Sequence, residues 1–156
     1  MATQWTAGTT SGQVLTAATL NTIGAVWETW TPALTASTTN PTLGTGSVIT
    51  GRYGRINKTV FGNVTILFGT SGVNPGTGFY FVSLPITAQS ATPPVGSGWL
   101  LDNSASLLRQ VEVTLDSTSR VALWLDNTTN FAVAATNPWT WAASDQIRFQ
   151  FTYEAA

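Results

Sequence analysis

The sequence contains no histidine and no cysteine. Their absence excludes Cys and His nucleophiles, Ser-His-Asp triads, zinc sites built on Cys or His, haem and iron–sulfur ligation, and disulfide bonds. Charge is also scarce. Asp, Glu, Lys and Arg make up 8% of the 156 residues, against about 25% in an average soluble domain. The formal net charge is −1, which speaks against a basic nucleic-acid-binding face. No apolar run approaches the ~20 residues of a membrane-spanning helix. The opening residues, from Met1 to Gly8, lack the basic and apolar regions of a secretory signal. The expectation is a protein with no cofactor, no nucleic-acid partner and no membrane partner.

Threonine is abundant: it occurs 28 times, beside 14 glycines and 7 prolines. Threonine is β-branched and suits a pleated, half-exposed surface, while glycine and proline punctuate turns. Hydrophobic residues make up 43% and include seven tryptophans. A chain of this length can bury roughly 70% of its unfolded surface, enough for one domain with a true core. A neutral, hydroxyl-rich surface suits either a plain low-charge β domain or a protein packed permanently against neighbours.

Residues 1–14 (MATQWTAGTTSGQV) carry one large side chain, Trp5, and read as an arm. Residues 15–27 carry the helix signal. Thr16 is placed to cap, Leu15 and Leu20 have the spacing of a hydrophobic staple, and Leu20, Ile23 and Trp27 continue one face. From Trp30 onward the apolar period becomes two. Ile147, Phe149, Phe151 and Tyr153 alternate with Gln146, Arg148, Gln150 and Thr152. Val111, Val113 and Leu115 lead through Asp116-Ser117-Thr118-Ser119 to Val121, Leu123 and Leu125, the pattern of a hairpin. Residues 59–68 are partly apolar on both faces, which predicts a central strand, with Gly62 marking a bulge or close packing. Further strands are expected at 30–36, 47–56, 78–84 and 97–102. About eight strands in roughly 125 residues predict an all-β fold, an antiparallel β-sandwich or jelly roll. The expected organisation is an N-terminal attachment arm with one short helix over 1–27, then a β-sandwich domain over 28–156. Loops are expected at 69–77, 85–96 and 127–145, where FAVAA could add a further pairing segment.

Four groups of side chains are candidates for function. Arg52, Arg55 and Lys58 hold half of the positive charge; they read as an anchor on an acidic patch or as a solvated segment protecting a sheet edge. Trp139 and Trp141 lie two apart after Asn137-Pro138. On an extended chain they would share a side, fit to stack on a sugar, to fill a subunit interface or to pack under their own loop. The acidic residues Glu28, Asp102, Glu112, Asp116, Asp126, Asp145 and Glu154 are scattered, without the spacing of a glycosidase pair. Asp126-Asn127 and Asp145 read better as turn caps than as Ca²⁺ ligands. Three Asn-x-Thr sequons are chance matches in a threonine-rich chain.

The arm and helix, Thr6-Ala7-Gly8 followed by residues 12–21 (GQVLTAATLN), resemble the openings of bacteriophage tail-fibre and minor tail proteins. Residues 30–35 (WTPALT), 40–44 (NPTLG), 51–60 (GRYGRINKTV) and 76–85 (GTGFYFVSLP) in this order resemble a β domain of tailed-phage fibres and surface proteins. The resemblance spans about residues 6–85 and implies a non-enzymatic structural protein on the outer surface of the virion, made in the host cytoplasm. It points first to a capsid decoration or head-surface protein. The alternatives are a minor tail or tail-fibre protein binding host surface glycan, and a depolymerase-like enzyme. The partners it implies are the major capsid or tail protein and the chain itself, as a homotrimer. On this reading Trp5, Leu15, Leu20, Ile23 and Trp27 attach the protein to the particle.

Overall fold

A computed structural model of the chain describes residues 26–91, 93–125 and 132–156. Nine strands form one antiparallel sheet: β1 (Glu28–Trp30), β2 (Leu34–Ala36), β3 (Val48–Ile56), β4 (Thr59–Leu67), β5 (Tyr80–Ser83), β6 (Pro94–Asp102), β7 (Leu107–Ser117), β8 (Arg120–Leu125) and β9 (Gln146–Glu154). Their order across the sheet is β1-β3-β4-β9-β6-β7-β8-β5-β2. The sheet curls into a half-barrel. The all-β, antiparallel expectation holds, but the strands make one continuous sheet instead of the two expected of a sandwich. No helix occurs among the described residues. The expected helix lies outside them except for Val26 and Trp27, which are not helical. Trp27 instead lies against the sheet, edge-on to Phe61 with ring centroids 5.4 Å apart.

Where one strand was expected at 30–36, the structure has two, at opposite edges of the sheet. β1 pairs with β3, and β2 pairs with β5. Thr31-Pro32-Ala33 separates them. Proline has no N–H to give a ladder, and it restricts the residue before it. This link forces the curl. A flat sheet of nine strands would be about 38 Å wide at ~4.8 Å per strand, yet the four steps from Trp30 to Leu34 reach about 14 Å at most. Pro32 is buried. Ala33 is tied to β5: its N–H donates to Ser83 Oγ at 2.9 Å, and its carbonyl accepts from Ser83 N–H at 3.0 Å.

The inner face of the half-barrel is the core. Val60, Val64 and Ile66 of β4 stand in register with Tyr153, Phe149 and Ile147 of β9, and all six are buried. Leu100 of β6 continues the row from Ile147. Val111, Val113 and Leu115 face Leu125, Leu123 and Val121 across the β7–β8 hairpin, which forms where the alternation placed it. β4 is central, as its apolar character on both faces implies. Gly62 marks close packing and no bulge: the β3–β4 register is unbroken, and a Cβ at Gly62 would stand 2.6 Å from the Phe151 ring.

Segments without regular structure close both ends of the half-barrel. At one end Ala88 bridges to Ala155, and the Tyr153 hydroxyl donates to the Ile86 carbonyl at 2.6 Å. Burial pushes the Tyr153 phenol up to about 12. At the other end, residues 132–145 lie over the ends of β4, β5 and β9. Residues 132–135 of the FAVAA segment make only isolated bridges, to Trp124, Phe79 and Asn137, but Val133 and Ala135 are buried in the core.

Candidate binding groove on the outer face

The face turned away from the core is not a plain solvated surface. Strand register sets its side chains in rows. One row runs Arg52, Asn63, Gln150, Ser97, Glu112, Trp124 across β3, β4, β9, β6, β7 and β8. The adjacent row runs Thr65, Arg148, Trp99, Gln110. In β6 the outward-facing residue at the centre is the small Ser97, so the middle of the face is low and its flanks are high. The result is a groove of about 580 Å³, lined by Asn63, Thr65, Ser97, Trp99, Leu108, Gln110, Arg148 and Gln150 above the backbone of Val64, Gly98 and Phe149. A depression of about 530 Å³ adjoins it through Ser97 and Gln110 and reaches Glu112 and Trp124. A third, of about 360 Å³, adjoins through Asn63 and Gln150 and ends on Trp27 and Phe61.

Charge on this face is sparse and held by aromatic rings. The Arg148 guanidinium carbon lies 5.2 Å from the centroid of Trp99, and that of Arg52 lies 5.4 Å from Trp27. Such contacts stabilise a cation by about 0.5–1 kcal/mol at exposed sites and fix its direction. Arg148 is exposed and makes no ion pair among the described residues.

The sequence-based candidates are dispersed. Trp5, Leu15, Leu20 and Ile23 lie outside the described residues, as do Asp126 and Asn127. Trp27 lies at one end of the groove system. Arg52, Arg55 and Lys58 do not make one patch: Arg52 is on the outer face, Arg55 points to the opposite side and donates from Nε to the Asn57 carbonyl, and Lys58 is in the β3–β4 turn. A strand alternates its side chains, so residues three apart cannot share a face.

Trp139 and Trp141 are also placed differently from a paired exposed platform. Trp141 is 2% exposed and belongs to the core. It stacks on Phe68 with centroids 5.1 Å apart and planes 15° apart, lies 5.9 Å from Tyr80, and donates from Nε1 to the Ala134 carbonyl at 2.9 Å. Trp139 is half-buried beside it, centroids 5.5 Å apart. Trp141 is thus unavailable to a sugar or to a partner subunit. Packing under its own loop describes Trp141, because the end of the half-barrel needs a large apolar plug, while Trp139 stays partly exposed beside it.

Four of the carboxylates have local partners. Glu28 accepts from the Tyr53 hydroxyl at 2.7 Å, which raises the pKa of that phenol. Asp116 pairs with Arg120 at 2.6 Å. Asp102 Oδ1 accepts from the Ser104 hydroxyl, the Ala105 N–H and the Ser104 N–H; these hydrogen bonds, the hydroxyl first, lower its pKa. Asp145 is fully buried and caps two turns, accepting from Asn103 N–H at 3.0 Å and Ala142 N–H at 2.9 Å. Burial raises its pKa, and the two N–H donors pull it back. The buried Trp139 indole N–H also favours the ionised carboxyl, although the contact falls short of hydrogen-bond geometry.

Alternation identified the outer-face residues as solvent-facing, but their assembly depends on β9 entering between β4 and β6, a long-range pairing. The one local signal was a small residue, Ser97, two positions before an indole, Trp99, on the same face of one strand. Comparisons of the chain with protein-family models, curated proteins and solved structures find no match.

Proposed function

We propose that the chain is a non-enzymatic structural protein on the outer surface of a tailed-phage virion, a capsid decoration or head-surface protein. Residues 1–27 anchor it, and the β domain faces outward. The observation that carries this reading is how the motif residues meet. Trp30 of WTPALT packs over Gly51 of GRYGRI, where a Cβ would come within 2.5 Å of the indole. Ala33 of the same motif bonds Ser83 of GTGFYFVSLP. Thr42 of NPTLG pairs with Asn74, just before that last motif. The segments that carry the resemblance meet in one scaffold, and this meeting is what supports the reading.

A second reading, a minor tail or fibre protein that binds host glycan, is favoured by the outer-face groove. A depolymerase-like enzyme would need two carboxylates across a cleft, and Glu112 is the one carboxylate lining the three connected depressions. This favours binding over hydrolysis.

Imaging of particles labelled through this chain tests the proposal. Many copies over the head support it, label confined to the tail tip transfers it to the second reading, and unlabelled particles overturn both. Removing residues 1–16 is expected to leave a folded β domain that no longer joins particles. Full occupancy by the truncated protein would overturn the anchoring role of the arm.

A further inference from the structure

We infer that the groove centred on Ser97 is a binding site for a carboxylate-bearing saccharide, with Arg148 receiving the carboxylate. The groove crosses β4, β9, β6 and β7, all interior strands whose backbone groups are spent on one another. A peptide therefore finds no free edge there, and recognition falls to side chains. Three of those side chains are amides. Asn63, Gln110 and Gln150 each offer a donor and an acceptor, the pairing that vicinal sugar hydroxyls require. A nucleic acid would need many cations, whereas this groove has one.

Arg148 sets the acidic class. It is the one charged side chain lining the groove centred on Ser97. Trp99 holds its guanidinium at 5.2 Å, so the planar fork is pre-oriented, and no carboxylate of the described residues neutralises it. A guanidinium held this way matches a carboxylate through two parallel N–H donors. The neighbouring depressions extend the groove in both directions, which suits successive units of a chain better than one compact small molecule. This site deepens the glycan-binding reading but does not depend on where on a particle the chain sits.

The test is titration calorimetry on the purified full chain with three acidic probes: an oligogalacturonate, a sialyl oligosaccharide and a sulfated oligosaccharide. The methyl ester of the oligogalacturonate and the neutral, desialylated oligosaccharide serve as controls. The expected result is that one or both carboxylated probes bind and that their neutral counterpart binds at least about tenfold more weakly, the loss expected for removing a bidentate charge-assisted pair. Arg148→Gln is expected to lose a similar factor with unchanged thermal stability, because the residue is exposed. Arg109→Gln, at a β7 position opposite Leu100 on the other face of the sheet, should leave binding unchanged. Equal binding of acid and neutral forms, equal loss in both arginine variants, a preference for the sulfated probe, or no binding of any probe at millimolar concentration would each overturn the proposal. Dissociation of an oligomer by Arg148→Gln, followed by sedimentation, would overturn it in favour of an interface between copies of the chain.

Discussion

Trp30 and Leu34 are four residues apart in the chain and stand on opposite edges of a nine-stranded sheet. Pro32 between them ends one edge strand, and the short link brings the two edges together. The curl of the half-barrel, the enclosed core and the convex outer face follow from that separation.

Trp30 keeps its place only because Gly51 has no side chain. Gly51→Ala would put a Cβ 2.5 Å from two indole carbons and 2.6 Å from a third, a contact the neighbouring rings of Tyr53 and Phe151 prevent the indole from escaping. Overpacking of this kind costs about 1–3 kcal/mol. Urea unfolding should show the loss, while Thr29→Ala, on the exposed side of β1, should leave the midpoint nearly unchanged. An unaltered midpoint in Gly51→Ala would mean that the indole sits elsewhere.

Trp141 is a core plug, so its truncation should act on the monomer. Trp141→Ala is expected to cost about 3–5 kcal/mol, as for other large buried aromatics. It also removes one of the two hydrogen bonds that the Ala134 carbonyl accepts, leaving the one from Asn137 N–H. Half-buried Trp139 should cost less when truncated. Sedimentation with chemical denaturation separates the possibilities: a folded Trp141→Ala protein of wild-type stability and lower oligomeric state would place the indole in a subunit contact.

The β9 strand provides a register test. Phe149→Ala and Phe151→Ala remove buried rings and should each cost about 3–5 kcal/mol, whereas Thr152→Ala, exposed between Phe151 and Tyr153, should change stability little. Equal melting shifts for the two faces would contradict the pairing of β9 with β4 and β6.

Asp145 and Asp102 should respond to acid in opposite senses. Burial raises the Asp145 pKa, so the folded state holds this proton more tightly than the unfolded chain. Its contribution to stability is complete below the ordinary Asp value of about 3.9 and is lost as pH rises through the raised folded value. For Asp102, hydrogen bonding lowers the pKa; its contribution is present above the unfolded value and is lost as pH falls through the folded one. Asp145→Asn leaves one buried N–H without an acceptor, at a cost of about 1–3 kcal/mol. The wild-type advantage over Asp145→Asn should grow as pH falls from neutral toward that ordinary value. Denaturation of both proteins across that range measures it, and an advantage that shrinks on acidification would refute the assignment.

Most strands were legible in the sequence because a strand with one buried face alternates, and alternation is local. β3, β4, the β7–β8 hairpin and β9 lie within a few residues of their expected bounds for that reason. The core face of β9 was readable residue by residue. The split of 30–36 was not read, although Pro32 stood in it, because the consequence of a broken strand depends on where each half finds a partner.

The tryptophans show the same division. Seven indoles in a low-charge chain indicated aromatic packing or binding, but spacing alone could not separate Trp141 in the core from Trp99 on the outer face. Sequence by itself determined an all-β chain with a Thr-rich exterior, an aliphatic and aromatic interior, and no His or Cys chemistry. The single curled sheet, the burial of Trp141 and the groove between Asn63, Gln150, Ser97 and Gln110 were decided by tertiary structure. Those four residues come from four strands, and only the insertion of the last strand, β9, between β4 and β6 brings them side by side; local periodicity carries no information about that neighbour.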